Sequence, residues 1–199
     1  LALPLIEIGP APDIAAVRAA WRGMGNYSAL MFVSGNAVTQ FFAQRPVDAA
    51  ELTARAWAPG PATAQALLAA GAPFALIDAP DGDAPQFDSE ALWHRVAVQV
   101  AAGQRVLIVR GAGGDGQGAG RDWLAAQIQA AGASVEYVVA YVRSPPLWSA
   151  AQSADAQRAA ADGSVWLLCS SESIANLPRL DRSAARAVAT HPRIAPAAR

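Results

Sequence analysis

The sequence predicts an α/β protein built on a doubly wound parallel sheet. Three observations carry that expectation. Short apolar, β-branched runs alternate with amphipathic stretches of helical period along most of the chain. Gly71, Gly103 and Gly132 each stand where a helix would end on a left-handed residue. After "RSPP" at 143–146 the same alternation stops and begins again.

In chain order, strands are expected at Ser28–Val33, Arg55–Ala58, Phe74–Asp78, Arg105–Val109 and Ser134–Val142. Helices fall between them at Ala37–Gln44, Ala62–Ala70, Ser89–Ala102 and Arg121–Ala131. Asn36 offers a start for the first helix, Pro61 a first-turn position for the second, and Asp88 or Ser89 a cap before "EALW". These elements make one complete doubly wound domain over residues 9–137. Beyond "RSPP" come a helix at 148–161, a strand "VWLLCS" at 165–170, a helix from Ser171, a strand "AVAT" and a last helical piece. Residues 1–8 and 138–199 are assigned to a second, partial domain, with Leu3–Ile8 and Val138–Val142 as the two strands crossing between the halves.

Internal similarity supports two related halves. "FVSGNAVTQF" aligns with "LCSSESIANL", pairing Ser34 with Ser170, and "AWAPGPATAQA" aligns with "AVATHPRIAPA", pairing Pro61 with Pro192. Both matches fall at strand-to-helix turns and keep the same order, as a duplicated α/β half would. The duplication leaves the second half short of a strand–helix before Leu1 and of closing strands after Arg199, so that half is expected to be incomplete.

Composition removes several function classes. The net charge is −1 and no basic run exists to neutralise a row of phosphates, so no nucleic-acid partner is expected. All 15 basic residues are arginine, which excludes Schiff-base chemistry and a lysine-dependent phosphate loop. One cysteine, Cys169, and two histidines, His94 and His191, are too few for a metal site, and no internal disulfide can form. No apolar run approaches the ~20 residues of a membrane helix. A cytoplasmic protein without membrane association fits these features.

Ligands of open α/β sheets bind beyond the carboxyl ends of the strands, against helix N-termini. The tips here are Ser34-Gly35-Asn36-Ala37, Gly60-Pro61 with Thr63, Arg110-Gly111, Ser170-Ser171-Glu172, and His191 with Arg193. They are rich in small residues and hydroxyls, which suits reception of anions by backbone N–H groups and a few arginines. Plainer roles compete at most positions, but Arg110 at a strand end is harder to explain by packing, because a strand tip gives it no partner of necessity. Ser34 and Ser170 would serve as helix caps and Thr63 as a cap or back-bonding hydroxyl. Cys169 reads as a small buried apolar residue, and Trp21, Trp93, Trp123 and Trp148 read as packing residues.

Gly111, Gly113 and Gly116 spell G-x-G-x-x-G, the glycine pattern of dinucleotide sites. The context is wrong for one. "RVLIVR" is the fourth strand of its domain rather than the first, and Glu136 stands at the beginning of the next strand, away from a ribose. Six glycines in the ten residues from Gly111 to Gly120 mark an enlarged surface loop instead. A nicotinamide-dependent oxidoreductase is therefore poorly supported.

"MFVSGNAVTQFF", "AWAPGPATAQALLAAG", "VLIVRGAGG…RDWLAAQIQAAGASVEYVVAYVR" and "LLCSSESIANL", in this order, resemble uroporphyrinogen-III synthases across essentially the whole chain. The resemblance implies two flavodoxin-like domains joined by a two-stranded linker, with the active site in the cleft between them. It implies cyclisation of linear hydroxymethylbilane to uroporphyrinogen III, inverting the last ring with loss of water, without cofactor or metal and as a monomer. By resemblance Tyr141 matches the tyrosine that helps the hydroxyl leave, and Ser34, Thr63 and Ser170 fall on cleft-facing positions. The polycarboxylate substrate suits helix N-termini and scattered arginines. The competing reading is a two-domain module that binds an anionic small molecule without transforming it. Deleting Asp115–Gly120 is expected to change turnover by less than about tenfold, ~1.4 kcal/mol of barrier; a larger loss in a cyclisation assay would show that the loop reaches substrate.

Overall fold

The computed structural model describes residues 2–49, 51–82, 84, 86–113, 122–178, 180, 185–190, 194 and 196. The chain divides into two compact units, Ile8–Val142 and the combination of Leu1–Glu7 with Arg143–Arg199.

The larger unit is built on strands β1 (Glu7–Pro10), β2 (Ala29–Phe32), β3 (Arg55–Trp57), β4 (Ile77–Asp78), β5 (Arg105–Ala112) and β6 (Ser134–Ser144), the last running on into the smaller unit. Its helices are α1 (Ile14–Arg22), α2 (Gly35–Phe42), α3 (Pro61–Ala69), α4 (Ser89–Val96) and α5 (Trp123–Ala130). The sheet order is β1-β6-β5-β2-β3-β4, and the pairs β6·β5, β5·β2, β2·β3 and β3·β4 are all parallel. All four residues of β2 are buried, as a central strand covered on both faces requires.

Side-chain alternation sorts the core into two layers. Leu30, Phe32, Leu107 and Val109 pack with Val17 and Trp21 of α1, Val38 and Phe41 of α2 and Leu67 of α3. Ala29, Met31, Val106 and Ile108 pack on the opposite face with Leu92 and Val96 of α4 and Leu124 and Ile128 of α5. Trp21 anchors the first layer: its ring stacks on Phe41 at 4.8 Å, and its indole N–H donates to the Phe41 carbonyl at 2.9 Å. Gly71 and Gly132 take φ of 87° and 86°, the left-handed values expected at those helix ends, whereas Gly103, at 80°, stands in the turn before β5 and closes no helix.

Several expectations are corrected. The five parallel strands, numbered within their own set, run 3-2-1-4-5, not the flavodoxin order 2-1-3-4-5, so the switch point lies between β2 and β5. The linker strand expected at Leu3–Ile8 forms only at Glu7–Pro10. Proline has no N–H for a ladder, and upstream carbonyls are taken by side chains instead: Trp148 Nε1 donates to Pro4 O at 2.6 Å and Asn176 Nδ2 to Leu5 O at 2.8 Å. Phe74–Leu76 is a 3₁₀ turn, not strand, with Phe74 exposed outside the sheet. The helix expected to reach Ala102 closes at Val96 and passes into a 3₁₀ turn at Ala97–Gln99, where β-branched Val96, Val98 and Val100 recur at spacing two rather than helical spacing.

The smaller unit holds α6 (Ala150–Ala161), β7 (Val165–Leu168), α7 (Ser171–Ala175) and β8 (Arg186–Ala189), with β7 and β8 parallel. Ser149 and Gln152 form a reciprocal capping box at the start of α6. Trp166, Leu168 and Ala189 pack with Ile174 and Ile194, whereas Val165, Leu167 and Val188 are exposed. Cys169 is exposed, not buried: it continues the parity of Val165 and Leu167, the exposed positions of β7. Trp123, expected to pack, is 37% exposed at the first turn of α5.

Candidate functional site

The carboxyl ends of β2, β3, β5 and β6 bring together most of the residues singled out in the larger unit. Ser34, rather than Asn36, caps α2: its backbone is extended (φ −166°) and its Oγ accepts from Ala37 N–H at 3.2 Å. Gly35, Asn36 and Ala37 are the first three helical residues; with the Ala37 N–H taken by Ser34, the N–H groups of Gly35 and Asn36 form the open end of α2. Gly60 caps α3 without a side chain, Pro61 follows at the first position, and Thr63 sits in the first turn, 6% exposed. Thr63 makes no side-chain hydrogen bond among the described residues, so the capping and back-bonding roles do not account for its hydroxyl. Gly35 and Ala66 face each other where α2 and α3 pack; a Cβ at Gly35 would lie 3.5 Å from Ala66 Cβ.

Tyr141 reaches this corner through a bulge. Along β5 and β6, Arg110 is opposite Val139 but Gly111 is opposite Tyr141, so Ala140 is an extra residue in β6. Strict alternation would put Tyr141 on the side of Tyr137. The bulge turns it to the other face, where it packs with Val138, Ala140 and Phe32. There its hydroxyl lies 3.2 Å from Ser34 Oγ. Its ring covers Gly111 so closely that a Cβ on that residue would stand 2.3 Å from Tyr141 Cζ. No pattern in "SVEYVVAYV" announces this bulge, so sequence reasoning placed Tyr141 at the correct edge without its orientation.

Arg110 goes to the opposite face. Its guanidinium lies over the Tyr137 ring, 4.1 Å from the centroid, and lines a pocket of about 230 Å³ with Met31, Val33, Ile108, Leu124 and Ser89. This pocket was not foreseen, although the shared parity of Tyr137, Ile108 and Arg110 along paired strands is its sequence signal.

At the other end of the sheet, Arg105 Nε donates to Glu136 at 3.0 Å and Tyr27 Oη donates to it at 2.8 Å. Arg105, then Tyr27, hold the Glu136 carboxyl below its usual range. Burial, reinforced by Glu136, pushes the Tyr27 hydroxyl up to about 12 from 10.0. Keeping this phenol protonated therefore stabilises the fold fully below pH 10.0, and that contribution disappears as pH rises toward 12. An ultraviolet tyrosinate titration is expected to show a late-ionising phenol that Tyr27→Phe removes; an unchanged curve in the variant would refute the assignment.

In the smaller unit Ser170 caps α7, accepting from Ser173 N–H at 3.0 Å, and Ser171 and Glu172 open the helix. Glu172 is paired with Arg143 at 3.0 Å. His191, Arg193 and the glycine run at 114–121 lie outside the described residues. Among the described residues no group of three or more His, Cys, Asp or Glu is arranged to hold a metal, and no helix is long and apolar enough to cross a membrane.

The switch point falls where a dinucleotide fold would carry its glycine fingerprint after the first parallel strand, β2. That tip reads Ser-Gly-Asn-Ala instead. What remains is an open parallel α/β sheet whose binding edge offers helix N-termini, hydroxyls and a phenol, a class suited to an anionic small molecule. A family model described as uroporphyrinogen-III synthase HemD matches residues 1–199, and the chain belongs to that family. Its reaction closes hydroxymethylbilane to uroporphyrinogen III with loss of water, in tetrapyrrole biosynthesis.

Solved structures agree in fold. The uroporphyrinogen-III synthetase of Helicobacter pylori superimposes with a TM-score of 0.62 at 14% identity, covering 97% of this chain and 78% of its own. A mutant uroporphyrinogen III synthase from Thermus thermophilus gives 0.55 at 16% identity, covering 99% and 77%. A sequence search of curated proteins returns no significant match.

Proposed function

We propose that Tyr141, Ser34 and Gly111 form the catalytic corner of this synthase. The observation that carries the reading is the 3.2 Å contact between Ser34 Oγ and the Tyr141 hydroxyl. Ser34 Oγ accepts from Ala37 N–H, which leaves its own proton for Tyr141 Oη. Tyr141 then directs its O–H to the departing hydroxyl. The C–O bond breaks, the Tyr141 proton completes a water molecule, and the adjacent pyrrole nitrogen supplies the electron pair that stabilises the resulting cation. The phenolate left behind is held by the Ser34 O–H and by the positive end of α2. Ring closure releases a proton that restores the phenol.

Substrate carboxylates would be received by the N–H groups of Gly35 and Asn36 at the start of α2 and by the Gly60 N–H and the Thr63 hydroxyl at the start of α3, where Pro61 has no N–H to offer. Ser170 and Ser171 are the corresponding candidates in the smaller unit. Because electron-rich pyrroles close readily once the hydroxyl departs, positioning against the wrong closure matters more than barrier lowering. The two units are read as the two α/β domains of the family, linked by β1 and β6, working as a cytoplasmic monomer without a cofactor.

A double-mutant cycle on Ser34→Ala and Tyr141→Phe tests the corner. If the serine acts through the phenol, the pair is expected to lose little more turnover than Tyr141→Phe alone. Fully additive losses would contradict the relay.

A further inference from the structure

We propose that the Arg110 pocket is a separate carboxylate subsite that takes one short acid arm of the substrate, an inference resting on the cyclase reading above. Arg110 and Tyr141 stand on opposite faces of the sheet: Arg110 shares its face with Ile108 and Met31, whereas Tyr141 packs with Phe32 and Val138. The pocket is therefore distinct from the corner where the hydroxyl leaves. Both flank the switch point between β2 and β5, the place where open α/β sheets receive ligands.

The half-buried Arg110 guanidinium meets the Tyr137 ring but no carboxylate among the described residues. The ion pairs of the described residues join Arg55 to Asp78, Arg95 to Asp81, Arg105 to Glu136, Arg143 to Glu172 and Arg158 to Asp155. Arg110 is in none of them, and its Nε is buried without a hydrogen-bond acceptor. An unsatisfied charged donor is costly in an apolar setting. The guanidinium carbon lies 4.1 Å from the Tyr137 ring centroid, a contact that holds the group in place without using its N–H donors, which can recognise a carboxylate by two parallel hydrogen bonds.

Size and lining select the rest of the ligand. About 230 Å³ is too small for a linear tetrapyrrole but accommodates a carboxylate on a one- or two-carbon stem. Met31, Ile108 and Leu124 supply an apolar wall for such a stem, and Ser89 at the start of α4 adds a hydroxyl. An inorganic anion would leave that wall wet, so the geometry favours an alkyl carboxylate.

Propionate and its neutral isostere propionamide distinguish charge from shape. Titrated into the isotopically labelled protein, propionate is expected to shift the Arg110 Nε–H and Leu124 methyl resonances, while propionamide leaves them in place. Arg110→Gln, confirmed folded by its melting transition, should abolish the shifts. With hydroxymethylbilane the same variant is expected to raise KM roughly tenfold to a hundredfold, the loss of one charged hydrogen-bonding group, with kcat within about threefold of the parent. Arg110→Lys should recover part of the KM without the bidentate geometry. Equal response to both probes, or no response, overturns the subsite; so does an unchanged KM in Arg110→Gln. Propionate binding does not depend on turnover. Binding by a protein that makes no isomer III would count against the cyclase reading and against the substrate-arm assignment, leaving only a carboxylate pocket.

Discussion

Tyr141→Phe is expected to cut turnover by roughly tens-fold to a hundredfold while leaving fold and substrate affinity intact. General-acid assistance is typically worth about 10²–10⁴-fold, and a substrate that ionises readily draws on the lower part of that range. The substitution removes one oxygen from a ring that stays packed with Val138 and Ala140, so the change isolates the hydroxyl. Ser34→Ala should cost less, because the N–H groups at the start of α2 remain to hold carboxylates. A phenylalanine variant that keeps full isomer III synthesis would make Tyr141 structural and leave catalysis to positioning alone.

Gly111→Ala is expected to be at least as damaging, for a reason that involves no chemistry at residue 111. The new methyl would stand 2.3 Å from Tyr141 Cζ and 2.6 Å from Cε2, distances that no packed side chain tolerates. The ring must leave its place beside Ser34, and the 3.2 Å contact is lost with it. Overpacking of this kind also destabilises by about 1–3 kcal/mol, visible as a lower melting temperature. The decisive comparison adds Gly111→Ala to Tyr141→Phe. If glycine serves to seat the tyrosine, the alanine costs little further turnover in the phenylalanine background. An equally large loss in both backgrounds would mean that Gly111 acts by itself.

The alternation of apolar runs and helices was legible because each strand carries its own hydrophobic signature; β2, β3, β5 and β6 lie where "ALMF", "RAW", "RVLIV" and "SVEYVVAY" place them. Two helix ends were legible for the same local reason, through Gly71 and Gly132, and one helix start through the Asp88 cap. Strand order was not, since it depends on which crossover packs on which face and no short segment encodes that. The site divides similarly. Ser34 was readable as a hydroxyl at a strand tip, but its contact with Tyr141 depends on one extra residue, Ala140, in a ladder set by the neighbouring strand. Arg110 was readable as an arginine without an obvious partner, yet the pocket it lines draws on residues from β2, β5, β6, α4 and α5 together. Cys169 and Asn36 show the limit of local signals: the first continues the exposed parity of Val165 and Leu167, and a serine two positions upstream takes the capping role from the second.

The most direct test of the whole account is to incubate this chain with hydroxymethylbilane and resolve the uroporphyrinogen isomers after oxidation by chromatography. Isomer III is expected as the main product, formed faster than the spontaneous reaction and diminished by Tyr141→Phe. Isomer I alone, at the rate seen without protein, would contradict it.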